Sequence, residues 1–239
     1  MFKKKDFIMA FILIISMIGM TACKKNVGAP EDNAQAEENE DETNTEETQE
    51  HLIGFSVIDM ENPYFITLES AAKAELEEDG YRMITKNPET DPQLQETQIQ
   101  EMIDEGIEAI ILSPVDWEKI TPSLQSLKKA GVKIINVDTQ VKEMEYVDAY
   151  IGSDNQKAGY ICGEDLITKC PDGGKIAILE CPTQNSINDR ITGFEEAIAQ
   201  AENGFEVVER MDTKGEFELA LEAAQKILEE HPDISAIMC

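Results

Sequence analysis

The stretch Leu52-Ile53-Gly54-Phe55-Ser56-Val57-Ile58 is an almost unbroken apolar run of strand length. Residues 63–79 follow with apolar side chains at helical spacing: Phe65, Leu68, Ala71, Ala72 and Leu76 share one face, and Gly80 supplies the stop. The same unit then repeats. Strands are predicted at 81–85, 109–112, 132–137 and 146–151, with helices at 94–105 and about 117–130, each ended by a glycine, Gly106 and Gly131. Beyond Gly152-Ser153-Asp154 the theme resumes, with helices at about 156–168, 186–202 and 217–230 and strands at 175–179, 205–210 and 234–239. Such alternation predicts an α/β fold of parallel, doubly wound sheets. The expected division is a first lobe over 51–153 and a second, partial lobe over 154–239, hinged near Gly152-Ser153-Asp154.

Upstream of residue 51 the composition is of two other kinds. Residues 1–30 hold five lysines and one aspartate, and residues 31–50 hold ten acids and no base. Lys3-Lys4-Lys5 precedes an apolar run over 7–20 that is too short for a spanning helix of ~20 residues and fits a secretory signal. It closes on Met20-Thr21-Ala22-Cys23, which resembles a bacterial lipobox with Met20 where leucine is usual. The expectation is a signal peptide over 1–22 and a lipidated Cys23; an ordinary signal peptide with an incidental cysteine is the alternative. Residues 23–50 are then an acidic tether, because Glu, Asp, Thr, Asn and Gln bury too little apolar surface to offset the entropy of ordering.

Composition excludes several functions. The chain of 239 residues carries a formal charge of −29, and no basic stripe exists to displace counterions from a nucleic acid. Two histidines, His51 and His231, exclude a histidine-rich metal site, and both read as surface residues without a neighbouring ligand. No Gly-x-Gly-x-x-Gly follows the first strand, and no Gly-x-x-x-x-Gly-Lys-Ser/Thr occurs, so a phosphate cradle is missing. No Gly-x-Ser-x-Gly elbow or persuasive Cys/His pair offers a nucleophile. No cofactor is implied.

In open parallel sheets ligands sit at the carboxyl ends of strands. Those positions hold residues 59–65, Ser113-Pro114, Asp138-Thr139-Gln140 and residues 181–190. They offer an aromatic pair, amides, one Asp and one Arg, an inventory suited to a polar, uncharged ring compound.

At these residues the chain resembles the ribose/galactose-type sugar-binding lipoproteins of bacterial ABC transporters, the type I periplasmic binding protein family. The stretches that carry the resemblance are Ile53-Gly54-Phe55 with Asn62-Pro63-Tyr64-Phe65, Val137-Asp138-Thr139-Gln140, Ile151-Gly152-Ser153-Asp154-Asn155, Asn188-Asp189-Arg190-Ile191-Thr192-Gly193-Phe194 and His231-Pro232-Asp233-Ile234-Ser235-Ala236-Ile237. The resemblance covers essentially all of 52–239. It implies that Asn62 bonds a sugar, that Tyr64 and Phe65 stack on it, that Asp138 grips two hydroxyls and that Arg190 bonds hydroxyls from the second lobe. Thr139 stands where an Arg contact is common. The second-lobe aromatic is expected to be missing, with Gly215 near its place and Phe217 two residues on. The implied function is capture of a monosaccharide between two lobes by a monomeric, lipid-anchored, extracytoplasmic protein that delivers it to an ABC transporter permease. It also implies that the chain is a C-terminal truncation whose last strand lies at an open edge, so that 51–239 alone would bind no sugar and its second lobe would be molten.

Other readings stand beside these. A sensor presenting a sugar-like signal to a membrane receptor kinase is one, and a secreted α/β enzyme is another, which turnover of a sugar derivative would reveal. Tyr64 and Phe65 open a helix and core packing is their alternative; for Asp138 it is a loop cap, and for Arg190 a surface ion pair. Ser113-Pro114 and Asp116 read better as a turn and cap than as ligands. Cys170 and Cys181 flank one strand, leaving a disulfide and free thiols both open.

Overall fold

The computed structural model describes residues 51–202 and 204–239; the export segment, Cys23 and the tether expected over 1–50 lie outside the described residues. The first lobe runs β1 (His51–Ser56), α1 (Pro63–Glu78), β2 (Tyr81–Lys86), α2 (Pro92–Asp104), β3 (Ala109–Leu112), α3 (Thr121–Ala130), β4 (Lys133–Val137) and β5 (Ala149–Ile151). Its strands are all parallel, in the order β2-β1-β3-β4-β5. The second lobe runs α4 (Asn155–Lys169), β6 (Gly174–Glu180), α5 (Asn185–Ile198), β7 (Phe205–Asp212), α6 (Phe217–Glu230) and β8 (Ile234–Met238), with parallel strand order β7-β6-β8. In each sheet the strand order reverses beside the first strand, β1 or β6, which opens a crevice at the strands' carboxyl ends.

Local chemistry sets the helix starts. The Asn62 Oδ1 accepts from the Tyr64 N–H at 3.0 Å, the Asp91 Oδ1 from Gln93 at 2.8 Å, and a proline follows each cap at the first helical position. Neither proline removes a needed donor there, since the first helical N–H groups have no partner within the helix. Side-chain alternation along the strands then divides the core. Leu52, Ile110 and Leu112 face α2 and α3, among Ile99, Met102, Leu124 and Leu127. Phe55 and Val57 face α1 with Phe65 and Met83. In the second lobe Ile176 and Ile178 face α4 and α5, whereas Ala177 and Leu179 face α6.

Two buried amides close the carboxyl ends of the first sheet. The Gln95 side chain, wholly buried on α2, donates to Ser56 Oγ at 3.1 Å and to the Ser113 carbonyl at 3.0 Å, and accepts from the Val115 N–H at 2.9 Å. The Asn136 side chain donates to the carbonyls of Leu112 at 3.0 Å and Thr139 at 2.8 Å and accepts from the Val141 N–H at 3.2 Å. In the second lobe α4 and α5 meet backbone to backbone. A Cβ on Gly159 would lie 1.8 Å from the Arg190 carbonyl oxygen, and one on Gly193 would lie 1.9 Å from that of Gln156.

Three elements differ from the sequence expectation by three residues or more at one end. The third helix starts at Thr121, not near 117, because Asp116 accepts from the N–H groups of Glu118 and Lys119 and holds 117–120 as a turn. The fifth helix ends at Ile198 instead of 202; the N–H groups of Gln200 and Ala201 bond three residues back and tighten the chain out of the helix. The fifth strand spans only Ala149–Ile151, since Met144–Tyr146 forms a 3-10 turn. Cys170 and Cys181 are free. They stand beyond opposite ends of β6, a strand of seven residues that separates them by roughly 20 Å, too far for a disulfide.

Two substitutions test this packing. Alanine at Gly159 or Gly193 is favourable for a free helix by about 1 kcal/mol. Here it should destabilise the protein by about 1–3 kcal/mol in urea unfolding, because the new methyl group meets a backbone carbonyl; a more stable alanine variant would contradict the close helix contact. Gln95→Leu should cost about 2–4 kcal/mol, since the buried Val115 N–H and Ser113 carbonyl lose their partner.

Candidate functional site

A cleft of about 740 Å³ lies where the carboxyl ends of β1 and β4 face the starts of α5 and α6. Asn62, Tyr64, Phe65, Asp138 and Arg190 all line it, so the fold brings together the five binding residues expected from the sequence. The lobes also touch directly. Thr139 Oγ1 and Ser186 Oγ are 2.8 Å apart and buried, and the Trp117 N–H donates to the Thr183 carbonyl at 3.0 Å. Thr139, at the position where an Arg contact is common, is thus spent on the opposite lobe.

Each expected residue arrives by a definite route. Asn62 caps α1 with its oxygen, which leaves its Nδ2 donors for the cleft. Tyr64 follows on the first turn and is 54% exposed. Its ring meets Phe65 edge to face at 5.1 Å between centroids. Phe65 itself is only 3% exposed and belongs to the core beside α1, so it offers the cleft an edge while its main duty is packing. Asp138 follows β4 with φ of +60°, a left-handed backbone that a non-glycine residue adopts only where its neighbours hold it. Arg190 sits in the second turn of α5; its Nε donates to Asn155 Oδ1 at 2.9 Å, and its two Nη groups make no hydrogen bond among the described residues.

The electrostatics follow from this placement. Burial pushes the Asp138 carboxyl above the usual aspartate range, opposed by the hydrogen bond from Thr139 and by the charge of Arg190. The Tyr64 and Tyr150 phenols are raised in turn, first by burial and then by the charge of Asp138. Asp59, Glu61 and Glu216 add negative charge to the lining, and Lys214 positive charge. No cluster of nucleophile and base is present among the lining residues. Polar forks beside exposed aromatic faces suit binding of a neutral, hydroxyl-rich ring.

The structure also shows what the sequence reading undervalued. Phe217, two residues past the place where the second-lobe aromatic was expected to be missing, is 76% exposed at the first position of α6 and lines the second-lobe wall. Left-handed Lys214 and Gly215 turn the chain so that α6 opens on the cleft. Gln184 and Ser186 join the lining from the start of α5. Asp116 does not cap a helix; it accepts from the Glu118 and Lys119 N–H groups within the 117–120 turn, and α3 begins after Ile120 without a side-chain cap. Away from the cleft, one expectation is corrected: His231 does have neighbouring ligand types, because its ring and the carboxylates of Glu209 and Glu230 come within 4.8 Å of one another at the surface. His51 pairs with Glu108 at 2.7 Å.

A family model described as a periplasmic binding protein domain matches residues 53–239. The chain is 26% identical over 227 residues to the ribose import binding protein RbsB of Bacillus subtilis, which covers 95% of this chain and 70% of that protein. It is 28% identical over 187 residues to a D-ribose/D-allose-binding protein of Pseudomonas aeruginosa, covering 74% of this chain and 58% of the relative. Among solved structures, an ABC transporter solute binding protein from Mycobacterium smegmatis with bound glycerol superposes with a TM-score of 0.72 at 30% identity, over 79% of this chain and 65% of that one. The chain therefore spans between about six tenths and about seven tenths of the length of these proteins. With its parallel sheets, its switch-point cleft and a family match over 53–239, the chain belongs to the periplasmic binding protein domain family.

Proposed function

We propose that this protein is an extracytoplasmic, lipid-anchored solute-binding protein that captures a monosaccharide between its two lobes and hands it to an ABC transporter permease. One observation carries the reading. Asp138 and Arg190, of opposite charge, come from different lobes and line the same space as Tyr64 and Asn62. A ring sugar placed there would lay its C–H face on Tyr64 and Phe217 and divide its hydroxyls between the carboxylate and the guanidinium fork. Discrimination between epimers would come from polar groups that the wrong hydroxyl leaves unpaired. The protein breaks no bond in this scheme, and its output is the ligand-bound shape. The ribose- and allose-binding names of the relatives point to aldoses as the first ligands to try.

The site residues are tested by calorimetry on a version of the protein with a complete second lobe, against a panel of D-ribose, D-allose and other monosaccharides. Asp138→Ala and Arg190→Ala should each weaken the cognate sugar by roughly 30-fold or more, since a desolvated charged partner is worth on the order of 2–5 kcal/mol. Affinity within about twofold of the parent would remove that residue from the site. The pH dependence has a definite sign. Asp138 accepts from two hydroxyls with charge-assisted strength only as a carboxylate, and its pKa is raised above the ordinary ~3.9. Affinity should therefore be full at neutral pH and fall as pH drops through the raised value, earlier than for an exposed aspartate. Asp138→Asn should flatten that limb.

The anchor rests on Cys23, which follows Met20-Thr21-Ala22 at the end of the apolar run. Cells fed labelled palmitate should mark the protein, and Cys23→Ala should abolish the mark. Label kept by the variant would end the lipoprotein reading.

A further inference from the structure

The chain passes between the lobes over residues 150–155, and both ends of this short crossing are bonded to a charged residue of the cleft. At the first end the Tyr150 Oη donates to the Asp138 carbonyl at 2.8 Å, while the Asp138 N–H donates to the Ile151 carbonyl at 2.9 Å. These bonds hold Asp138 in its left-handed backbone and engage only its main chain, while its carboxylate is met by Thr139 alone among the described residues, with Oγ1 at 3.4 Å. The phenol reaches that carbonyl across residue 152. A Cβ there would lie 2.0 Å from the Tyr150 Oη and 3.1 Å from the Asp138 carbonyl oxygen, so only glycine admits the bond. At the other end Asn155 is 6% exposed. Its Nδ2 donates to the Ser153 carbonyl at 3.3 Å and its Oδ1 accepts from Arg190 Nε at 2.9 Å.

We infer that Tyr150 and Asn155 are positioning residues, which aim the Asp138 carboxylate and the Arg190 fork at the hydroxyls of one ligand. The inference rests on the sugar-binding reading above. A guanidinium has five N–H donors in a rigid plane. Taking the single Nε donor from behind fixes the orientation of that plane and leaves the paired Nη ends for adjacent hydroxyls. Close approach of α4 and α5 at Gly159 and Gly193 holds Asn155 and Arg190 in register, because any larger residue would separate the two backbones. Neither Tyr150 nor Asn155 is among the residues that line the cleft, so each acts through its partner.

Calorimetry on a version of the protein with a complete second lobe, with D-ribose and D-allose and combined with double-mutant cycles, tests this. Tyr150→Phe removes one hydroxyl and should weaken binding about fivefold or more, and Asn155→Ala about tenfold or more, in proteins that melt cooperatively. In an Arg190→Ala background Asn155→Ala should add nothing, and in an Asp138→Ala background Tyr150→Phe should add nothing; additive losses would overturn the inference. Asn155→Asp keeps the acceptor and should restore most of the affinity, and it also serves if Asn155→Ala does not fold. A readout without sugar is the Arg190 Nε–H resonance. It should be protected from exchange in the parent and in Asn155→Asp, and exposed in Asn155→Ala. If the parent binds no monosaccharide, the sugar reading falls; the resonance still decides the positioning of Arg190, and its persistence in Asn155→Ala would refute it.

Discussion

At the carboxyl end of a parallel sheet the last strand carbonyls and the N–H groups of the following loops run out of ladder partners, in the region where a ligand would bind. Those backbone groups are buried here, and burial without a partner costs far more than a hydrogen bond returns. Gln95 and Asn136 meet the demand. Each amide offers donors and an acceptor at once, so one side chain ties a strand end to the loop beyond it. The loops over 113–116 and 138–141 are thereby fixed without help from a ligand. Asp138 inherits its position from that bracing, since Asn136 holds the carbonyl of Thr139, the next residue.

The second lobe solves a different problem by a different means. Arg190 has to stand at the cleft wall with a defined orientation, although it lies on a helix that could slide. Glycines at 159 and 193 let α4 and α5 approach until backbone meets backbone, and at that distance few relative positions are free of clashes. The Asn155–Arg190 bond then completes the arrangement. Direct bonds between the lobes, Thr139 to Ser186 and Trp117 to Thr183, set the two walls against each other. A neutral polyol suits the result, because a cleft lined by Asp59, Glu61, Asp138 and Glu216 within a chain of charge −29 opposes anions.

Much of the fold was legible because its signals are local. Pro63 marks the first helix start, Gly80, Gly106 and Gly131 announce stops, and the apolar runs of β3 and of α6 coincide with their observed limits, whereas α2 begins at Pro92, two residues before the expected 94. The errors arose where a tertiary bond outweighed periodicity. Residues 117–120 carry a helical pattern, yet Trp117 gives its N–H to Thr183 and its carbonyl to Lys142, so the helix begins later. Gln95 was invisible for a related reason. One glutamine among several polar residues of α2 looks like solvent-facing surface until the turn that buries it is known.

The sequence alone determined the element order, the parallel double winding, the charge blocks ahead of residue 51, and the residue types that stand at the strand ends. These follow from nearest-neighbour chemistry: periodicity, capping and charge. Only the tertiary structure decided which of those residues face the cleft and how they are held. It moved Phe65 largely into the core and brought Phe217 to the opposite wall. It separated Cys170 from Cys181 and spent Thr139 on Ser186. Such outcomes depend on which atoms meet across a hundred residues of chain, where packing density leaves room for one arrangement and one-dimensional spacing says nothing about it.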